Sequence, residues 1–306
     1  MSKALISGLA FGLLALLSVA AFGDEVPWPA TQPLSKLIGL KKPLVWDRKA
    51  HWKEEKDFAV QVAELPKFFS WQFYAQGLTK VRRQAWNDCW AQGTTGVLEN
   101  LVKIANPGVE ELLAVQQVIS CSSMGSAANG GNFALNYYKK FGGVPEIDFP
   151  YQGKDVRCKS GLKPKYRVKD WGYVGARGRS PKSTEVKQAM MEHGILGITI
   201  TANSALSRHT GGGLFKGCTN GGTNHIEVFT GWNDEFDDNG KIVSDVFEVR
   251  NSWGESHGLK GYAYMKFGCS RAGTEQVVWA DLEELTPAGT YHTLSPLESL
   301  RVAGYL

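Results

Sequence analysis

Hydrophobic residues follow two rhythms along this chain, and the change of rhythm near His193-Gly194 predicts its architecture. Upstream, apolar positions recur at helical spacing. A helix is expected to start near Cys89 and run through Val97, Leu101 and Ile104 to a stop at Asn106-Pro107-Gly108. Val109 to Ile119 keeps the same spacing, with Glu110 and Glu111 in a first turn where they complement the helix dipole. Phe133 to Phe141, ended by Gly142-Gly143, is a third helix; Glu185 to Glu192, capped by Ser183 or Thr184, is a fourth. Downstream, Ile195 to Thr201, Ile226 to Gly231, Asp245 to Arg250 and Tyr262 to Phe267 are short β-rich runs between Gly, Asn and Asp clusters. A helical half followed by a β half makes an α+β chain of two packed subdomains, and the cleft where they meet is a usual place for an active site. Ahead of them, Pro27, Pro29, Pro33 and Pro43 punctuate a mixed segment, and the charged stretch Asp47 to Glu64 is compatible with a helix.

The first 23 residues change the picture of where the chain works. Lys3 supplies a positive start, Ala4 to Ala20 is small and apolar, and Ala21-Phe22-Gly23 reads as a cleavage site before Asp24-Glu25. The apolar run falls short of the ~20 residues a membrane span needs, so a removed export signal is expected and no stable membrane anchor. Export makes disulfides possible. The five cysteines are Cys89, Cys121, Cys158, Cys218 and Cys269, and their odd number leaves one thiol over. Net charge is +4, and the basic clusters Lys41-Lys42 and Lys80-Val81-Arg82-Arg83 are short, which argues against a nucleic-acid partner. With 43% apolar residues and 10 Trp, disorder is not expected away from the ends.

The candidate chemistry comes from three groups in order. Cys89 sits at a helix start in Arg83-Gln84-Ala85-Trp86-Asn87-Asp88-Cys89-Trp90, His225 follows Asn224 before an apolar strand, and Asn251 opens Asn251-Ser252-Trp253-Gly254 after another. A thiol, an imidazole and a carboxamide are the parts of a thiol nucleophile, its base and the group that orients the base. The helix N-terminus and an adjacent imidazolium favour a thiolate–imidazolium resting pair. None of the six histidines stands in a metal-binding spacing, so neither metal nor cofactor is expected. His51, His193, His209 and His292 are read as surface residues.

Taken with Leu65-Pro66-Lys67-Phe68-Phe69-Ser70-Trp71, Asn129-Gly130-Gly131, Phe149-Pro150-Tyr151, Gly213-Leu214-Phe215 and Gly261-Tyr262, these motifs resemble the papain/cathepsin family of cysteine proteases over Leu65 to about Ala280. The resemblance implies a papain-like fold, with a helical left lobe (about 85–180) and an antiparallel β-barrel-like right lobe (about 181–283) within a peptidase domain at 65–283. It implies a secreted or otherwise exported peptidase acting on polypeptides, with Cys89, His225, Asn251 and the oxyanion donor Gln84 as catalytic residues. Gly130 and Gly131 would hold substrate backbone. Phe133, Thr199 and Ile226 would line an apolar pocket for the second residue before the scissile bond. Trp253 would cover the His225–Asn251 contact. His257 is either a residue of the leaving-group side or a surface-loop histidine.

The resemblance also implies the bridges Cys121–Cys158 and Cys218–Cys269. The chain departs from the family where one usual bridge is missing at both ends, with Ala128 at one of them, and where Gln84 lies one residue nearer the nucleophile. Residues 24–64 are either a short inhibitory prosegment or a permanent arm, and the tail at 284–306 has no assignment. Endopeptidase activity is the main expectation. Exopeptidase or transpeptidase activity on the same triad, and a catalytically impaired binding module, are the alternatives.

Overall fold

The computed structural model describes residues 34–41, 50–285 and 295–302. The export signal expected at 1–23 lies outside them.

The fold is α+β, built on one eight-stranded sheet. Its path runs His51–Lys53, Tyr166–Val174, Val277–Glu284, Leu196–Ile200, His225–Asn233, Val246–Arg250 and Tyr262–Lys266, with Phe68–Ser70 added beside His225–Asn233. Every pairing is antiparallel except that of His51–Lys53 with Tyr166–Val174. The expected barrel-like closure is not found: the path is open from its first strand to its last. Four of these strands were not expected from the sequence: the short His51–Lys53 and Phe68–Ser70, and the long pair Tyr166–Val174 and Val277–Glu284. A register shift between Asp281 and Leu282 breaks the ladder of the long pair, and with it the alternation that marks a strand.

Helix Cys89–Ala105 is buried over nearly its whole surface, because strands and smaller helices surround it. Small residues let the sheet come close. A Cβ at Gly93 would lie 2.3 Å from Cγ2 of Ile226 on the His225 strand. Where the helix buries charge, it pairs it. Glu99 is fully buried and accepts from the Arg82 guanidinium at 2.7 Å, and Arg82 also reaches Glu146 and the Leu113 carbonyl. Burial alone would raise the Glu99 pKa, but Arg82 outweighs it and holds the carboxyl below its ordinary value.

Several expected elements need correction. The second helix runs Val115–Cys121, not from Val109. Residues 112–114 pair instead with 144–146, Ala114 N–H donating to Val144 and Glu146 N–H to Leu112, while Glu111 is drawn to Lys165 and Tyr166. The third helix is Leu135–Phe141, and Gly142 ends it at φ 70°. The fourth is Ser183–His193, starting after Lys182, and neither Ser183 nor Thr184 caps it. The Lys182 N–H is met by Glu185, while the Ser183 hydroxyl donates to Asp245. From residue 50 to 64 the chain forms a strand and two single 3-10 turns, not a helix, because its backbone and side chains bind the domain. Ala59 N–H, for example, donates to Glu192. The tail contributes helix Pro296–Val302, whose buried Leu300 packs toward the Cys89 and Ser183 helices.

Candidate active site

Cys89 is the first residue of its helix, with Asp88 at the cap position. Cys121 is bridged to Cys158 and Cys218 to Cys269, and Cys89 carries a free, buried thiol. Backbone N–H groups in a helix's first turn have no helical acceptor, so the sulfur lies in a field of donors. Asp88 beneath it is buried, accepts from Tyr151 and Gln92, and is pushed up to about 6 by burial.

His225 opens the strand His225–Asn233 opposite Ile200. Asn224 fixes that strand start: its backbone N–H donates to Ile200, and its side-chain amide makes both bonds to the backbone of Ala202. Asn251 lies one residue beyond strand Val246–Arg250. Its Oδ1 accepts from His225 Nε2–H at 3.0 Å and from Ser252 N–H at 2.7 Å, which sets both the amide orientation and the imidazole tautomer. Trp253 stacks on the His225 ring at 4.7 Å and is fully buried, shielding this contact. Burial alone would lower the His225 pKa, but the charge and hydrogen-bonding capacity of Cys89, followed by Glu227, outweigh it and raise the pKa to about 10. The imidazole thus bonds Asn251 through Nε2, and its protonated form is favoured by Cys89 and Glu227.

Gln84 is 2% exposed. Its Oε1 accepts from Ser252 Oγ–H at 2.7 Å, leaving Nε2–H to donate to Trp86 and, at 3.1 Å, to the Leu37 carbonyl. Gly131 pairs with the same N-terminal segment. Gly131 N–H donates to Gly39 at 2.7 Å and Lys41 N–H to Gly131 at 2.6 Å, while Leu40 N–H donates to Asn224. Gly39 N–H points at Cys89 Sγ, 3.1 Å away. Residues 37–41 therefore thread the cleft between Gln84, Cys89, Asn224 and Gly131.

The expected pocket residues are all buried. Phe133 is buried against Gly197, and Thr199 stands opposite Ile226 in the sheet. Ile226 is wholly buried against Gly93 of the helix. His257 is not a surface-loop residue: it is buried, its Nε2–H donates to Leu206, and it lies edge-on to Trp253 at 4.9 Å. Burial lowers its pKa to about 4, so it is a neutral ring backing Trp253. His193, also expected at the surface, is 3% exposed, bonded to Asp281 and Lys53 and stacked on Trp279. Sequence reasoning missed Gly39, Ser252 and Glu227. The one available signal was an acid two residues after His225 in the otherwise apolar run Ile226-Glu227-Val228-Phe229.

A profile of the papain family cysteine proteases matches residues 65–281. Cathepsin O from Homo sapiens is 32% identical over 229 residues, covering 72% of this chain and 68% of that protein. Germination-specific cysteine protease 1 from Arabidopsis thaliana is 30% identical over 213 residues, 68% of this chain but 54% of its own length, so this chain spans about half of that relative. The digestive procathepsin L2 proteinase from Tenebrio molitor larval midgut has the same fold, with a TM-score of 0.68 at 21% identity over 81% of this chain and 78% of that one. Among the described residues no helix is long and apolar enough to cross a membrane.

Proposed function

The chain belongs to the papain family of cysteine proteases, and on that premise we propose an exported endopeptidase whose nucleophile is Cys89, with its N-terminal segment as built-in inhibitor. Family membership makes it a cysteine-type peptidase acting on polypeptides. The observation that carries the finer reading is that Cys89, His225 and Asn251 are all buried, with the imidazole held by Asn251 at 3.0 Å and its pKa raised by Cys89 and Glu227.

The Cys89 thiolate attacks the scissile carbonyl, forming the sulfur–carbon bond while the carbonyl electrons move onto oxygen. Gln84 Nε2–H and the Cys89 backbone N–H stabilise that oxyanion. His225 gives its proton to the leaving amine as the carbon–nitrogen bond breaks, then takes one from water, whose hydroxide releases the acyl group. An extended substrate pairs with Gly131 as an added strand. Phe133, Thr199 and Ile226 line the pocket for the residue two before the scissile bond and favour an apolar side chain there. A generic fluorogenic dipeptide amide with such a residue, under reducing conditions, tests the reading. The wild type should hydrolyse it and Cys89→Ala should not; equal rates would remove Cys89 from the reaction.

The N-terminal segment inhibits because it offers the sulfur an N–H in place of a carbonyl carbon. With Gly39 N–H on Sγ and the Leu37 carbonyl on Gln84, both reactive positions are filled and nothing is positioned for attack. The fit requires glycine: a Cβ at residue 39 would lie 1.8 Å from the Asn87 carbonyl oxygen. Overpacking of this kind costs about 1–3 kcal/mol, so Gly39→Ala should raise the share of open clefts in the full chain roughly 5- to 150-fold. The rate at which a thiol reagent labels Cys89 in uncleaved protein measures this. A rate no faster than wild type would place the inhibitory contact elsewhere.

A further inference from the structure

Glu227 has no place in the reaction as derived so far, yet it is among the most costly side chains in the protein to bury. It lies on the His225 strand between Ile226 and Val228, and its side chain is 1% exposed. Its Oε1 is 3.5 Å from His225 Nε2, the nitrogen that donates to Asn251. Burying a carboxyl in an apolar strand is costly unless a partner compensates, which makes such a group next to a reactive imidazole a functional candidate.

A second observation comes from the space beside it. A cavity of about 20 Å³, lined by Gln92, Gly93, Ile226, Glu227 and Asn251 among others, opens behind the catalytic helix. Three buried polar atoms from residues lining it, Gln92 Oε1, Glu227 Oε2 and Asn251 Nδ2, have no hydrogen-bond partner among the described residues. That volume fits one water, and a water needs two to four polar partners. One molecule accepting from Asn251 Nδ2–H and donating to Glu227 Oε2 and Gln92 Oε1 meets all three needs at once.

We propose that Glu227 is a positioning residue for the catalytic pair: it flanks the Nε2 side of His225 beside Asn251, and one buried water ties it to Asn251 and Gln92. Its charge favours the imidazolium, while Asn251 fixes the orientation of the ring. The other ionisable groups lining the cavity are already engaged. Arg82 binds Glu99 and Glu146, and the Arg250 guanidinium donates to Thr79 and Lys80. His225 is therefore the group a charge on Glu227 acts upon. Burial raises the Glu227 pKa above its ordinary value and His225 offsets only part of that rise, so the two groups are linked in titration.

This proposal rests on the Cys89–His225 reading, and its test separates the two. Histidine-ring NMR of the full chain, carried out against pH, needs neither a substrate nor an open cleft. Wild-type His225 should stay protonated to about pH 10. Glu227→Gln should lower that midpoint by about one unit or more, the usual effect of removing a neighbouring charge. Glu227→Asp, which keeps the charge, should hold the midpoint nearer to wild type. Thermal melting establishes that each variant folds, and Glu227→Met serves as the neutral variant if the amide does not. A high wild-type midpoint that neutral variants leave in place overturns this proposal alone. So does an aspartate midpoint as low as that of the neutral variants, because volume and not charge would then be responsible. A wild-type ring that titrates at the ordinary histidine value overturns the ion-pair reading as well.

Discussion

Replacing His225 with alanine is expected to lower kcat/KM by about a million-fold, and adding Cys89→Ala should lower it no further. Residues that act as one unit fail together. In a serine protease, loss of the nucleophile or its base alone costs about as much as loss of the whole triad, roughly 10⁶-fold. The geometry here has the same character. His225 is wholly buried, bonds Asn251 through Nε2, has its pKa raised by Cys89, and is covered by Trp253. Among the described residues no other imidazole touches this line, since His257 lies behind Trp253 with its Nε2–H committed to Leu206. Kinetics of the single and double variants on one fluorogenic dipeptide measure the coupling. Independent, multiplying losses would mean that the two residues do not share a proton.

The second large effect is expected at Gln84. The Ser252 hydroxyl holds its Oε1, so the amide cannot flip without losing that bond, and one Nε2–H is already committed to Trp86. The other donates to Leu37 of the N-terminal segment. When that segment leaves, the same N–H faces the cleft, fixed before any oxyanion forms. Removing one such donor typically costs ~100- to 1000-fold in kcat. Gln84→Ala should show that loss with little change in KM, because the bond strengthens only as charge develops on oxygen. An unchanged kcat with a raised KM would make Gln84 a residue of ground-state binding.

Much of this site could be read from the chain because its parts are local. The helix at Cys89 announces itself through apolar spacing and the Asn106-Pro107-Gly108 stop, and the structure places it at Cys89–Ala105. The strands that carry His225 and precede Asn251 were equally plain, being short β-rich runs between turn residues. What could not be read depends on distant partners. Val109 to Ala114 has helical spacing but forms no helix, because Val144 and Glu146 compete for its backbone and Lys165 and Tyr166 draw its Glu111 aside. His193 has nothing in its sequence neighbourhood to announce Asp281 and Lys53. The path of residues 37–41 through the cleft is set by close contacts at Gly39, and these exist only once the Asn87 loop and Gly131 are in place. Tertiary contacts decided each of these against local preference.

The central claim, that a thiolate on the helical lobe does the chemistry, is tested most directly by labelling reduced, folded protein with an epoxysuccinyl thiol probe and locating the adduct by mass spectrometry. The predicted result is a single adduct on Cys89, accumulating in step with the loss of peptide hydrolysis. Hydrolysis that persists in fully labelled protein, or a Cys89 that takes up no probe while hydrolysis proceeds, would contradict it.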